Sequence, residues 1–77
     1  MRSELLQLMD TLAKGILFEE GCVYELAEMA ALAERDGNSG FAEAARTLSH
    51  KRCVKAMELR GQLAALSERS GIRTEDN

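Results

Sequence analysis

The sequence predicts an all-α protein, an antiparallel hairpin of two long helices. Apolar residues make up 45 % of the 77 residues, and alanine and leucine, which favour helices, are the most frequent of them. In two long stretches apolar residues recur at spacings of three and four, the period of a packed helix, and in the first stretch the two spacings alternate. One polar segment with two glycines, residues 36–40, separates these stretches in a chain without proline.

Helix 1 is predicted over residues 3–35, with Ser3 as its N-cap. One polar residue, Glu19, interrupts its contact seam, and we interpret this carboxylate as a buried group that sets the register. The predicted seam consists of Leu5, Met9, Leu12, Ile16, Glu19, Val23, Leu26, Ala30 and Ala33. A second line at seven-residue spacing, which widens the apolar stripe, consists of Leu8, Gly15, Cys22 and Met29.

Gly15 and Gly21 leave an alternative open for helix 1. Each glycine weakens a helix by about 1 kcal/mol relative to alanine. A break near Gly15–Gly21 would give a compact three-helix monomer instead of the two-helix hairpin. The seam continues past both glycines, which favours one long helix.

A turn is predicted at residues 36–39 and a second helix at residues 40–69. Gly37 is placed to end helix 1 in a left-handed conformation, and Ser39 is placed to cap helix 2. Arg52 interrupts the expected apolar line of helix 2, which consists of Phe41, Ala45, Leu48, Ala56, Leu59, Leu63 and Leu66. Ser70 and Gly71 are expected to end this helix, with residues 70–77 as a flexible tail.

The hairpin is expected to form a homodimer. A chain of this length makes one domain, residues 1–77, whose small core a partner often supplements. Residues 1–40 carry three basic and eight acidic side chains, and residues 41–77 carry seven basic and five acidic, which suits packing of the halves on each other or on a copy. We predict a four-helix bundle. The residues expected to mediate self-association are Leu5, Met9, Leu12, Ile16, Val23, Leu26, Leu48, Leu59, Leu63 and Leu66.

Composition argues against several classes of protein. The net charge of −3 disfavours nucleic-acid binding, and two cysteines do not make a disulfide framework. No apolar run approaches the roughly 20 residues of a membrane span. The first residues form an amphipathic pattern instead of a signal peptide. We therefore expect a cytoplasmic protein without membrane association.

Cys22, His50 and Cys53 are the candidate metal ligands. His50 and Cys53 are three residues apart and share a helical face, and an antiparallel hairpin places Cys22 level with Cys53. With water or Glu25 as a fourth ligand, these side chains suit tetrahedral zinc. The alternative, which we prefer, is a pair of free, mostly buried thiols that pack as apolar side chains, with no metal and no cofactor.

A basic stretch of helix 2 is the candidate for nucleic-acid contact. Its residues are Arg46, Lys51, Arg52, Lys55 and Arg60. Such a stripe can bind phosphates, but no aromatic residue is interleaved for base stacking. Helix 1 offers acidic partners at matching heights, namely Glu19, Glu20, Glu25 and Glu28. We expect pairing across the hairpin, and no binding of nucleic acid.

The function expected from these features is that of a small non-catalytic protein-interaction module: an adaptor, a small chaperone or a regulator. One histidine and the lack of a phosphate-binding loop leave no arrangement typical of an enzyme. A helical partner is expected to dock in a groove of the hairpin. The apolar line expected there is Leu17, Cys22, Met29, Met57 and Ala64.

Two long helices around a short polar turn, over residues 3–69, resemble the Rop-type hairpin and the small helical-hairpin chaperones of bacterial secretion systems. The resemblance lies in architecture and carries no functional residue with it. It adds one alternative function, a regulator that binds RNA through the basic face of helix 2.

Overall fold

The computed structural model describes residues 2–71, which form two α-helices packed side by side. Helix α1 runs from Arg2 to Arg35 and helix α2 from Ser39 to Ser70. The hairpin measures 53 × 19 × 18 Å. The predicted all-α hairpin is confirmed. Helix α1 continues through Gly15 and Gly21 without interruption, so the three-helix alternative is wrong.

Gly37 and Asn38 shape the turn between the helices. Gly37 adopts a φ of +78°, the left-handed conformation that glycine tolerates best. The amide of Asn38 donates to the carbonyl of Ala33, and that of Gly37 to the carbonyl of Glu34, which together form a Schellman motif. Gly37 therefore ends α1 as predicted.

The N-cap of α2 differs from the prediction. The side-chain oxygen of Asn38 accepts a hydrogen bond from the amide of Phe41 at 3.1 Å, so Asn38 and not Ser39 is the cap. At the other end Gly71 adopts a φ of +76° and terminates α2, as the sequence predicts. The rest of the predicted tail, residues 72–77, lies outside the described residues.

The seam of α1 is confirmed at every predicted position, because all nine residues are buried or half-buried against α2. Glu19 is among them, with 8 % of its surface exposed. The amide backbone of α1 also takes part in the seam, since the Ser49 hydroxyl donates to the carbonyl oxygen of Val23 across the interface at 3.3 Å.

The seam of α2 lies one residue away from the prediction in its first half. Phe41 and Leu48 are each 48 % exposed, whereas Ala42 is fully buried and Ser49 is half-buried. The observed seam consists of Ala42, Ala45, Ser49, Arg52, Ala56, Leu59, Leu63 and Leu66. Small side chains at the contact let the two helix axes approach closely, and the bulkier neighbours then lie outside the seam.

The core of the described hairpin is thin. Its buried apolar residues are Met9, Ile16 and five alanines, and no large side chain among the described residues is fully buried. Two helices alone cannot surround a side chain, so the seam leucines stay partly open to solvent. Neither described helix has the length and apolar character that a membrane crossing requires.

Candidate functional site

The seam divides the surface of the hairpin into two sides with different chemistry. Glu20 and Glu34 each directly follow a seam residue of α1 and lie on one side. Arg46 and Arg60 each directly follow a seam residue of α2 and lie on the same side, because the helices are antiparallel. We call this side the ion-paired groove. It is defined by two ion pairs, Glu20–Arg60 at 2.6 Å and Glu34–Arg46 at 2.5 Å.

A third ion pair lies inside the seam. The Arg52 guanidinium reaches both carboxylate oxygens of Glu19, at 3.2 and 3.4 Å. The two residues that interrupt the predicted apolar lines therefore satisfy each other. Three of the five basic candidates, Arg46, Arg52 and Arg60, pair across the hairpin in this way, which leaves their guanidinium groups already partnered.

The opposite side of the seam carries large apolar side chains. The residues that directly precede seam residues lie on this side, and they recur at intervals of seven in each helix. In α1 they form two parallel lines, one of which includes Phe18 and Leu32. We call this side the apolar face. It consists of Leu8, Phe18, Cys22, Met29, Leu32, Phe41 and Leu48.

The apolar face is large for a chain of this size. Its six bulky residues are between 44 % and 63 % exposed, and Cys22 is half-buried between them. Because a large side chain offers roughly 200 Å², the six leave on the order of 600 Å² of apolar surface open to solvent. A patch of that size is typical of a surface that contacts another macromolecule.

Charged residues of both signs border the apolar face. Glu25 lies seven residues from both Phe18 and Leu32, on the same strip of α1. Lys55 lies seven residues after Leu48 on the same strip of α2, and Lys51 lies one helical turn from it. Glu58 directly precedes the seam residue Leu59 and lies on this side too, seven residues after Lys51. None of these four charged side chains forms an ion pair with any residue of the range 2–71.

The structure separates the residues predicted to mediate interaction. Of those expected in self-association, Leu48 lies on the apolar face, and the other nine line the seam between the two helices of one chain. Of those expected in a docking groove, Cys22 and Met29 lie on the apolar face. Leu17, Met57 and Ala64 are exposed on the side of the ion-paired groove.

The candidate metal ligands are not brought together. Cys22 is half-buried on the apolar face, whereas Cys53 directly follows Arg52 and is exposed on the side of the ion-paired groove. Both thiols are free, but the prediction that they are mostly buried is wrong for Cys53. Over residues 2–71, no cluster of three His, Cys, Asp or Glu side chains is arranged to hold a metal ion.

Three residues of the apolar face were missed at the level of sequence. Phe18 and Leu32 lie on neither predicted line of α1, and Phe41 was assigned to the seam. For Phe41 a signal exists in α2, where Ala42 and Ser49 repeat at seven residues and continue through Ala56 and Leu63. With that line as the seam, Phe41 and Leu48 fall beside it.

Comparison with known proteins adds no relative: no protein-family model, curated protein or solved structure matches this chain.

Proposed function

We propose that the chain is a non-catalytic protein-interaction module whose working surface is the apolar face. The observation that carries this proposal is the row of bulky apolar residues that both helices expose along the apolar face. Phe18, Phe41 and Leu48 are exposed on one side of the seam, where no ion pair crosses between the helices among residues 2–71. The other side also exposes Leu17, Tyr24 and Met57, but two ion pairs cross it. Leaving this much apolar surface in water is unfavourable, and a partner that covers it gains that free energy on binding.

The face suits an apolar strip of another α-helix. Its residues follow helical spacing along two antiparallel helices, with exposed Met29 on α1 and exposed Leu48 on α2 available to the apolar strip of a partner helix. Met29 adapts to different partner shapes because its side chain is unbranched and flexible.

The alternative functions have less support. Binding of RNA by the basic stretch is disfavoured, since three of its five side chains are committed to carboxylates and only Lys51 and Lys55 remain unpaired within residues 2–71. Zinc binding is disfavoured because Cys22 and Cys53 lie on opposite sides of the seam.

The test is capture of partners from the source cell with the tagged full chain and two matched variants. Phe18 and Met57 are 63 % and 64 % exposed, but only Phe18 belongs to the apolar face. We expect Phe18→Lys to lose proteins that the original chain and Met57→Lys both retain. Circular dichroism of each variant checks that helicity is unchanged. Capture that is equal for Phe18→Lys and the original chain would contradict the proposal.

A further inference from the structure

We infer that the occupant of the apolar face is a second copy of this chain, related by a two-fold axis, so that two hairpins form a four-helix bundle. This inference rests on the proposed function, because it names the partner of the same face. Three properties of the described residues carry it: the thin core, the area of the face, and the charges along its border.

The first property is the incomplete core of a single hairpin. Leu12, Leu26 and Leu63 lie in the seam but are only half-buried, because nothing covers them from the side. A second hairpin laid on the apolar face supplies that cover for both copies at once. Each seam leucine then faces four helices instead of two, as in a bundle core.

The second property is area. A stable protein interface of standard size buries about 800 Å² on each partner. The six bulky side chains of the face expose on the order of 600 Å², and the open edges of the seam leucines add to it. The face therefore has nearly the area of a dimer interface.

The third property is charge complementarity with itself. Glu25 on α1 and Lys51 and Lys55 on α2 border the face without an ion-pair partner in residues 2–71. Glu58 lies further along the same side of α2, so the border of α2 carries two lysines and one carboxylate. We place the two-fold axis parallel to the helices, which lays α1 of each copy against α2 of the other, so that every contact occurs twice. Glu25 of one copy then meets the lysines of its partner in both halves of the interface.

Oligomeric state tests the inference directly. We expect analytical ultracentrifugation of the full chain to give twice its 8.5 kDa mass, and Phe18→Lys to raise the dissociation constant at least tenfold. Met57→Lys, equally exposed but outside the face, leaves the constant unchanged. A chain that remains monomeric up to about 100 μM, where even weak dimers form, would overturn the inference. So would a dimer that Phe18→Lys leaves intact.

Cross-linking tests which side is covered. Cys22 lies on the apolar face near the middle of α1, so a two-fold dimer with full overlap brings the two copies of Cys22 close together. A short bis-maleimide should therefore join Cys53→Ala chains into covalent dimers and leave Cys22→Ala chains as monomers. The reverse pattern, joining through Cys53, would contradict the inference.

The two proposals fail in distinguishable ways. If the chain is monomeric while Phe18→Lys still loses captured proteins, the self-association is wrong and the interaction module stands. If Phe18→Lys changes neither the oligomeric state nor the captured proteins, both proposals are wrong.

Discussion

At the scale of single residues, Glu19 and Arg52 place a charged pair in an otherwise apolar seam. Glu19 is 8 % exposed, and the guanidinium of the half-exposed Arg52 side chain contacts its carboxylate from α2. Burial of such a pair costs desolvation free energy that the attraction between the charges repays only in part. We interpret the pair as fixing the alignment of α1 with α2, because sliding one helix along the other separates the two charges.

The pair should therefore cost more to break than to replace. Removing the guanidinium with Arg52→Met leaves a buried carboxylate, and we expect a loss of about 1–3 kcal/mol in the free energy of unfolding. The double variant Glu19→Met/Arg52→Met should recover that loss. Urea unfolding at equal protein concentration measures all three chains. A double variant as unstable as Arg52→Met would contradict this account.

Two helical glycines give a second comparison at this scale. A Cβ atom at Gly21 meets open space, so Gly21→Ala should raise the free energy of unfolding by about 1 kcal/mol through helix propensity. A Cβ atom at Gly15 lies 3.2 Å from Cδ1 of Leu59, which must shift. Gly15→Ala should therefore gain less than Gly21→Ala in thermal unfolding. Equal gains would mean that Leu59 moves freely.

At the scale of elements, the two helices were predictable to different degrees. Every seam residue of α1 could be predicted from the sequence, because most of the seam residues before Ala30 have bulky apolar side chains. Their regular spacing then identifies Ala30 and Ala33 as seam positions too. In α2 hydrophobicity favours Phe41 and Leu48, yet Ala42 and Ser49 form the contact. Which strip faces the partner depends on how closely the helix axes approach, and that is a tertiary property.

The candidate site shows the same division. The line through Leu8, Cys22 and Met29 was visible in the sequence as a widened stripe. That Phe41 and Leu48 share a side with it follows only once the seam of α2 is known. The ion pairs were expected across the hairpin, but the partner of Arg46 is Glu34, which the sequence had not singled out.

The start of α2 gives the prediction that belongs to this scale. Asn38 accepts the hydrogen bond from the amide of Phe41, so Asn38→Ala should lower the free energy of unfolding by about 1 kcal/mol. Ser39→Ala is the matched control, because the prediction that Ser39 is the cap is wrong and its replacement should change little. Urea unfolding of both variants decides between the two residues as caps.

At the scale of the whole molecule, the hairpin is a rod with chemically distinct sides. On one side, charged residues form ion pairs within the chain, namely Glu20–Arg60 and Glu34–Arg46. The other side carries the apolar face and four charged side chains, Glu25, Lys51, Lys55 and Glu58, without an ion-pair partner in residues 2–71. Complementary charges at the border of an apolar surface act mainly on specificity and orientation, whereas burial of the surface supplies the affinity.

If charges at the border select the partner, exchanging them should make the chain prefer a heterodimer over a homodimer. If Glu25 meets Lys51 and Lys55 across the two-fold axis, Glu25→Lys places like charges together, and so does Lys51→Glu/Lys55→Glu. Each variant alone should dimerise more weakly than the original chain, by about tenfold or more. An equimolar mixture should form a heterodimer, because each lysine of one chain then faces a carboxylate of the other.

Native mass spectrometry of the mixture measures the three species separately, since the two variants differ in mass. The heterodimer should exceed the statistical half of all dimers at low ionic strength and fall toward it as added salt screens the charges. The original chain mixed with a mass-labelled copy is the control and should give the statistical ratio. A statistical ratio for the charge variants at low salt would mean that these three side chains do not face each other between copies.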